Sequence, residues 1–468
     1  MNATPRKRGA RWLWPLLLLF VLTVAALLLV WRPAITPLSE GPPQRFDPAL
    51  VARGAGLAAI GNCAVCHTAT PARPLAGGVG VRTPFGTVYS TNITPDRATG
   101  IGAWPQSAFT RALRDGVARD GHLLYPAFPY DHYTRLADGD IEALYAYIMT
   151  REPQRMETPA NRLRFPFGFR PLLAGWNLLY LDHGGVPTDA RRSAEWNRGA
   201  YLVEALGHCS ACHTPRTALG GEDRRRYLGG GEAENWYVPA LNRNAPSPTP
   251  WNVAQLTAYL RTGIAADHAI AAGPMQGVTA SLARADEHEV RAIAVYIASQ
   301  MTTSAAAVGG RTQTASARLA SAGASVDGAT PPPPAGTPLG KAKAGADTVT
   351  SRGASPPQPG DAQLQAGAQV YADACARCHD QGRQAGSGGA LQLPLAVALY
   401  DPDPRSLLHL IRDGVRPADN QPGRWMPGFA AELSDEQVLA LAAYLRQAAA
   451  HQPPWPDLPG ALRTVKQP

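Results

Sequence analysis

A five-residue pattern occurs three times in this chain of 468 residues: Cys63-Ala-Val-Cys66-His67, Cys209-Ser-Ala-Cys212-His213 and Cys375-Ala-Arg-Cys378-His379. The three copies use all six cysteines, which leaves none for a disulfide scaffold. Residues i and i+3 share one face of a helical turn, so two thiols at this spacing can add to the two vinyl groups on one edge of a porphyrin. The adjacent imidazole then binds the iron, and the pattern reads as c-type haem attachment. A zinc site would need four ligands in one local cluster, but the pairs begin 146 and 166 residues apart. A thioredoxin-like dithiol would want a βαβ setting, which the surrounding pattern does not offer. Three covalently bound haem c groups are expected.

The surroundings of the pattern repeat as well. Each copy follows a short helical segment that begins near a glycine, at Arg53-Gly54, Arg198-Gly199 and Ala366-Gly367. Far downstream, each is followed by a helix that opens with acids and carries tyrosines at matching places: Asp138 to Tyr147, Asp286 to Tyr296 and Ser434 to Tyr444. Tyr147, Tyr296 and Tyr444 are expected to pack in the core. A third helical element ends in Leu113-Arg-Asp-Gly-Val117, Leu260-Arg-Thr-Gly-Ile264 and Ile411-Arg-Asp-Gly-Val415. The same order three times predicts three copies of one small all-α domain, at 46–155, 190–302 and 361–450. The intervening stretch 303–360 has no aromatic residue and four consecutive prolines at 331–334. It reads as a flexible linker spanning roughly 40 Å, long enough to let the third domain move.

At the N-terminus, Arg6, Lys7, Arg8 and Arg11 precede a 20-residue apolar run from Trp12 to Trp31. About 20 residues cross a bilayer core of roughly 30 Å, whereas a secretory h-region has about 7–15. No small-x-small cleavage site follows Trp31, so residues 1–45 read as a cytosolic stub, a transmembrane anchor and a spacer, in preference to a cleaved signal. Basic residues ahead of the run place the N-terminus in the cytoplasm and the rest of the chain outside it. The expected location is the bacterial inner membrane, crossed once, with the haem domains in the periplasm. Four of the eight excess positive charges lie in the stub, so the pI of 9.3 does not argue for nucleic-acid binding.

The sixth iron ligand decides the chemistry, because a thioether favours ferrous iron and raises the potential. Met275, in Gly273-Pro274-Met275, lies 62 residues after His213, and Met426, followed by Pro427, lies 47 after His379. Both are expected axial ligands, on loops stiffened by proline. The same spacing in the first domain lands on Phe128, which cannot bind iron. His132 is the first candidate there, against a hydrogen-bonded loop histidine, with His122, Met149, Met156 and a five-coordinate iron as further readings.

The phrases Pro84-Phe-Gly-Thr-Val-Tyr-Ser-Thr-Asn92-Ile-Thr-Pro-Asp96, Thr99-Gly-Ile-Gly-Ala-Trp104 and Leu124-Tyr-Pro-Ala-Phe-Pro-Tyr130 resemble the cytochrome c subunits of membrane-bound dehydrogenases. That family includes triheme subunits serving quinoprotein alcohol dehydrogenase, flavin-dependent gluconate or aldose dehydrogenases, and molybdenum hydroxylases acting on nicotinate, isoquinoline or aldehydes. The resemblance implies an all-α chain of three tandem cytochrome c domains after an N-terminal transmembrane helix. It implies that the six cysteines with His67, His213 and His379 hold the haems, and that Met275 and Met426 are distal ligands. Phe128 with Asp131-His132 looks more like the molybdenum-hydroxylase branch. The implied role is an electron-transfer subunit with no substrate chemistry of its own, receiving electrons from a catalytic dehydrogenase subunit and delivering them to ubiquinone or a terminal oxidase. No flavin, molybdopterin or nicotinamide fingerprint opposes this. The rival reading is a haem enzyme (peroxidase or reductase) or a gas sensor acting at the first haem.

Overall fold

The computed structural model describes residues 13–40, 45–265, 267–302, 359–380, 393–416 and 426–467. The expected linker, 303–360, lies outside the described residues except for its last two. The chain forms two compact units, Met1–Pro187 and Thr188–Pro468.

In the first unit, Asp47 starts the helix Pro48–Ile60 by accepting a hydrogen bond from the Ala49 N–H (2.9 Å), with proline in the first turn. This opening helix crosses the closing helix Asp138–Met149 at Gly54, where a Cβ would strike the Ala143 backbone and lie 2.7 Å from the Tyr147 Cβ. Only glycine lets the two backbones approach so closely. Arg53 adds an ion pair to Asp140 (2.5 Å), whose side chain is 1 % exposed.

The second unit contains the same crossing twice. Gly199, on Ala194–Tyr201, meets Ala292 and Tyr296 of Glu287–Thr302, and Gly367, on Pro359–Ala374, meets Ala440 and Tyr444 of Asp435–Tyr444. The repeated glycine and the repeated tyrosine are therefore the two halves of one contact. The third repeated phrase is a helix stop. Gln106–Asp115, Val253–Thr262 and Arg405–Asp413 end at Gly116, Gly263 and Gly414, with φ of +63°, +72° and +72°. The next residue of each then bridges back to a returning segment, as Val117 to Leu123, Ile264 to Ile270 and Val415 to Met426.

Two architectural expectations are overturned. The chain is not all-α: Gly80–Thr83, Gly86–Tyr89 and Arg162–Leu163 form a three-stranded antiparallel sheet, and Gly231–Ala233 pairs with Trp236–Val238. The cause is local. Glu234 and Asn235 both have positive φ (+50° and +67°), the geometry of a two-residue hairpin turn, and Gly86 (φ +125°) closes the other hairpin.

Nor, among the described residues, is any helix long and apolar enough to cross a membrane. The apolar run is helical over Leu13–Val30. Trp31 and Arg32 leave the helix ahead of Pro33, which disfavours helical backbone in the residue before it. Ile35 is then tied to Arg119 through its N–H (2.8 Å). Eighteen residues rise about 27 Å, short of a core of roughly 30 Å. The expected single-pass transmembrane anchor at Trp12–Trp31 is thus corrected.

Candidate haem-binding sites

Each Cys-x-x-Cys-His forms a short helical turn: Cys63–His67, Ser210–His213 preceded by Cys209, and Ala376–His379 preceded by Cys375. The first cysteine of each copy is half-buried and the second is exposed, and no two of the six are bonded. Burial, with the paired cysteine second, pushes the Cys63 and Cys209 thiols up to about 12 and Cys375 to about 11. A redox dithiol needs the opposite shift. Among the described residues no three His, Cys, Asp or Glu side chains are grouped as a zinc site requires.

The two fully described histidine environments match. His67 Nδ1 lies 2.6 Å from the Thr91 carbonyl, and His213 Nδ1 lies 2.8 Å from the Pro239 carbonyl. A carbonyl can only accept, so Nδ1 carries the hydrogen and Nε2 keeps its lone pair. The histidine carbonyls in turn accept from the N–H groups of Gly77 (2.7 Å) and Gly230 (2.8 Å). Burial lowers the pKa of both imidazoles, that of His213 to about 4, so they are neutral and able to bind metal. Thiols three residues apart beside a neutral imidazole of fixed tautomer are the donor set that haem c requires.

Thr91 and Pro239 were not predicted. The signal was present in Tyr-Ser-Thr-Asn-Ile-Thr-Pro, because Asn92, which is 1 % exposed, locks the Thr91 loop. Its Nδ2 donates to the Gln154 carbonyl (2.6 Å) and to Thr99 Oγ1 (3.0 Å), and its Oδ1 accepts from the Thr94 N–H (2.9 Å). A tyrosine near each cysteine pair was also missed: Tyr133, Tyr227 and Tyr371. Burial, and secondarily the nearby cysteine sulfurs, raise the pKa of Tyr133; at Tyr227 burial and then Tyr296 dominate, and at Tyr371 burial and then Asp380. Tyr133 donates to the Gly61 carbonyl (3.2 Å) and Tyr371 to Asp380 (2.5 Å).

The candidate distal residues stand at different places in the copies. Phe128 and Met275 each stand five residues beyond their bridge partners, Leu123 and Ile270, so the spacing read from the sequence selects equivalent places. Met275 lies in the first turn of Pro274–Leu282. Met426 stands in the bridge itself, exchanging two backbone hydrogen bonds of 2.9 Å with Val415. His132 is buried in the short turn Tyr130–Tyr133. His122 faces solvent and pairs with Asp120 (2.6 Å). Met149 belongs to the core, and the Met156 methyl lies against the loop at Gly78.

Helical repeats built around such turns define a c-type cytochrome carrying covalently bound haem c. Residues 197–300 match the profile of cytochrome c, and 362–445 match that of cytochrome c oxidase, cbb3-type, subunit III. The fructose dehydrogenase cytochrome subunit of Gluconobacter japonicus is 34 % identical over 84 % of this chain and 78 % of its own length. The gluconate 2-dehydrogenase cytochrome c subunit of Pantoea cypripedii is 34 % identical over 86 % of each. A nicotinate dehydrogenase subunit of Pseudomonas putida is 41 % identical over 98 % of this chain, which spans 36 % of that longer protein. The chain belongs to the cytochrome c subunits of dehydrogenase complexes, and its work is electron transfer.

Proposed function

We propose that this chain binds three haem c groups, one in each of the segments 46–155, 190–302 and 361–450, and relays electrons from a partner dehydrogenase to ubiquinone or a terminal oxidase. Cys63 and Cys66, Cys209 and Cys212, and Cys375 and Cys378 form the thioethers, with His67, His213 and His379 as proximal ligands. Met275, Met426 and His132 are assigned to the distal positions. The haem supplies reversible one-electron chemistry, and the protein tunes it through the axial ligand and burial.

The observation that carries this reading is the proximal geometry repeated at His67 and His213, where an Nδ1–carbonyl bond leaves the Nε2 lone pair for iron. A molybdenum hydroxylase is the preferred partner, on the likeness to the nicotinate dehydrogenase subunit and on Phe128 followed by Asp131-His132; a quinoprotein or flavoprotein is the alternative. The haem-binding segments are assigned to the periplasm.

Haem content per chain decides the number. The native protein should give three equivalents, and Cys209→Ala with Cys212→Ala should give two. The protein that co-purifies, supplied with its substrate, should reduce all of them. Two equivalents in the native protein, or rapid peroxide turnover without a dehydrogenase, would overturn the reading.

A further inference from the structure

Within the unit Thr188–Pro468 the second and third repeats meet on an aromatic pair. Trp236, from the strand Trp236–Val238, stacks on His409 of the helix Arg405–Asp413 with ring centroids 4.5 Å apart and planes 11° from parallel. We propose that this pair is a positioning element shared by both repeats, docking 361–450 on 190–302 and holding the Met275 and Met426 loops in place together. The inference rests on the assignment of Met275 and Met426 as axial ligands.

Trp236 bears directly on the first loop. Gly273, two residues before Met275, adopts φ +52°, and a Cβ there would come within 2.7 Å of the indole. The start of the Met275 helix is thus seated on the ring, and no larger residue fits. His409 bears on the second loop through Asp413, whose Oδ2 accepts from His409 Nδ1 at 2.7 Å. The Asp413 backbone in turn leaves no room for a Cβ on Gly428, two residues after Met426, since its carbonyl carbon would be 2.8 Å away. A continuous series of packed contacts therefore runs from Met275 through Gly273, Trp236, His409, Asp413 and Gly428 to Met426.

The histidine is not there for burial alone. It is 8 % exposed, and its Nε2 is buried with no hydrogen-bond partner among the described residues. A leucine would avoid that desolvation cost. What histidine adds is a flat face for the indole and an Nδ1–H for Asp413.

Polar contacts around the stack fix one register. Ser406 Oγ donates to the Tyr237 carbonyl (2.8 Å), Arg405 pairs with Glu232 (2.7 Å), and the Val397 N–H donates to the His268 carbonyl (2.9 Å). Gln276, next to Met275, donates to the carbonyl of Arg416, next to Val415. Mutually satisfied backbone and side-chain groups of this kind mark a built interface.

The test uses the full-length, haem-loaded protein. Met275→Ala and Met426→Ala first assign one step of the redox titration to each loop. Trp236→Leu should then lower the potential assigned to Met426 as well as that of its own repeat, and His409→Leu should lower the potential assigned to Met275. Trp236→Phe should restore both. A purely local packing role would not cross from one repeat to the other.

An independent readout is association. Tryptic cleavage at Arg311, Arg318 or Lys341 should leave the two halves of the native chain co-eluting in gel filtration. Trp236→Leu combined with Arg405→Glu should release the C-terminal piece. Unchanged cross-repeat potentials would overturn the shared positioning role, and separation of the native nicked halves would overturn the docking. If both methionine variants leave every potential unchanged, the ligand assignment has failed, and co-elution still decides the docking by itself.

Discussion

The turns at Cys63–His67 and Cys209–His213 are held alike and faced differently. Each imidazole donates through Nδ1 to a carbonyl just past the second strand of a later hairpin, and each opening helix crosses a closing helix on a glycine. Beyond the third helix the two repeats also return through the same kind of bridge, with Phe128 and Met275 each five residues past it. One repeat then presents Met275, where the other presents Phe128 followed by His132. The difference teaches that the backbone path is common property, while the residue set on it is free to tune each centre. A chain built this way can hold haems of unlike potential without changing its fold.

The largest test of that common path is the helix crossing. Gly54→Val and Gly199→Val should each cost about 3 kcal/mol, because the added atoms meet backbone that cannot move aside. Thermal unfolding together with haem content measures it. A spared Gly54→Val would break the equivalence of the two repeats.

The distal position gives the next effect. Phe128→Met should raise one potential and Met275→Ala should lower another, each by a visible part of the roughly 0.8 V over which axial ligands set haem potentials. A titration in which Phe128→Met changes nothing would show that the shared spacing does not carry shared geometry. His132→Ala in the same series should convert the first haem to a spectrum that binds carbon monoxide. If native and variant protein respond alike to carbon monoxide, His132 is not the ligand.

The smallest effect separates two ion pairs at one register. Arg53 reaches Asp140, 1 % exposed, and Arg198 reaches Glu289, 30 % exposed. Arg53→Ala should cost about 1–2 kcal/mol, less than a fully buried pair because the arginine itself is 55 % exposed. Arg198→Ala should cost about 0.5 kcal/mol. Denaturant midpoints compared between the two variants check the order.

Legibility followed the range of the interaction. The helical Cys-x-x-Cys-His turns, the glycine phrases that end a helix and the capped helix start at Ser434 were readable, because each depends on residues within a few positions of one another. The glycine and the tyrosine of each crossing were both noticed, yet their contact was not. It joins positions such as Gly54 and Tyr147 that only the packed helices bring together. The strands escaped the all-α reading because their signal is a two-residue turn of Glu234 and Asn235 in the left-handed region, which composition and helical periodicity do not register. The apolar run was read as a span because hydropathy counts residues, whereas the helix itself stops where the backbone approaches Pro33.

By itself the sequence determined the attachment chemistry, the threefold repetition and the choice of candidate ligands, since covalent spacing on one helical turn needs nothing from the rest of the fold. Only the tertiary structure decided which carbonyl fixes each imidazole, that Met426 stands in its bridge while Met275 lies five residues beyond one, and that Trp236 meets His409. Those outcomes depend on how separate helices and hairpins pack, and close packing is settled by the shapes of residues far apart in the chain.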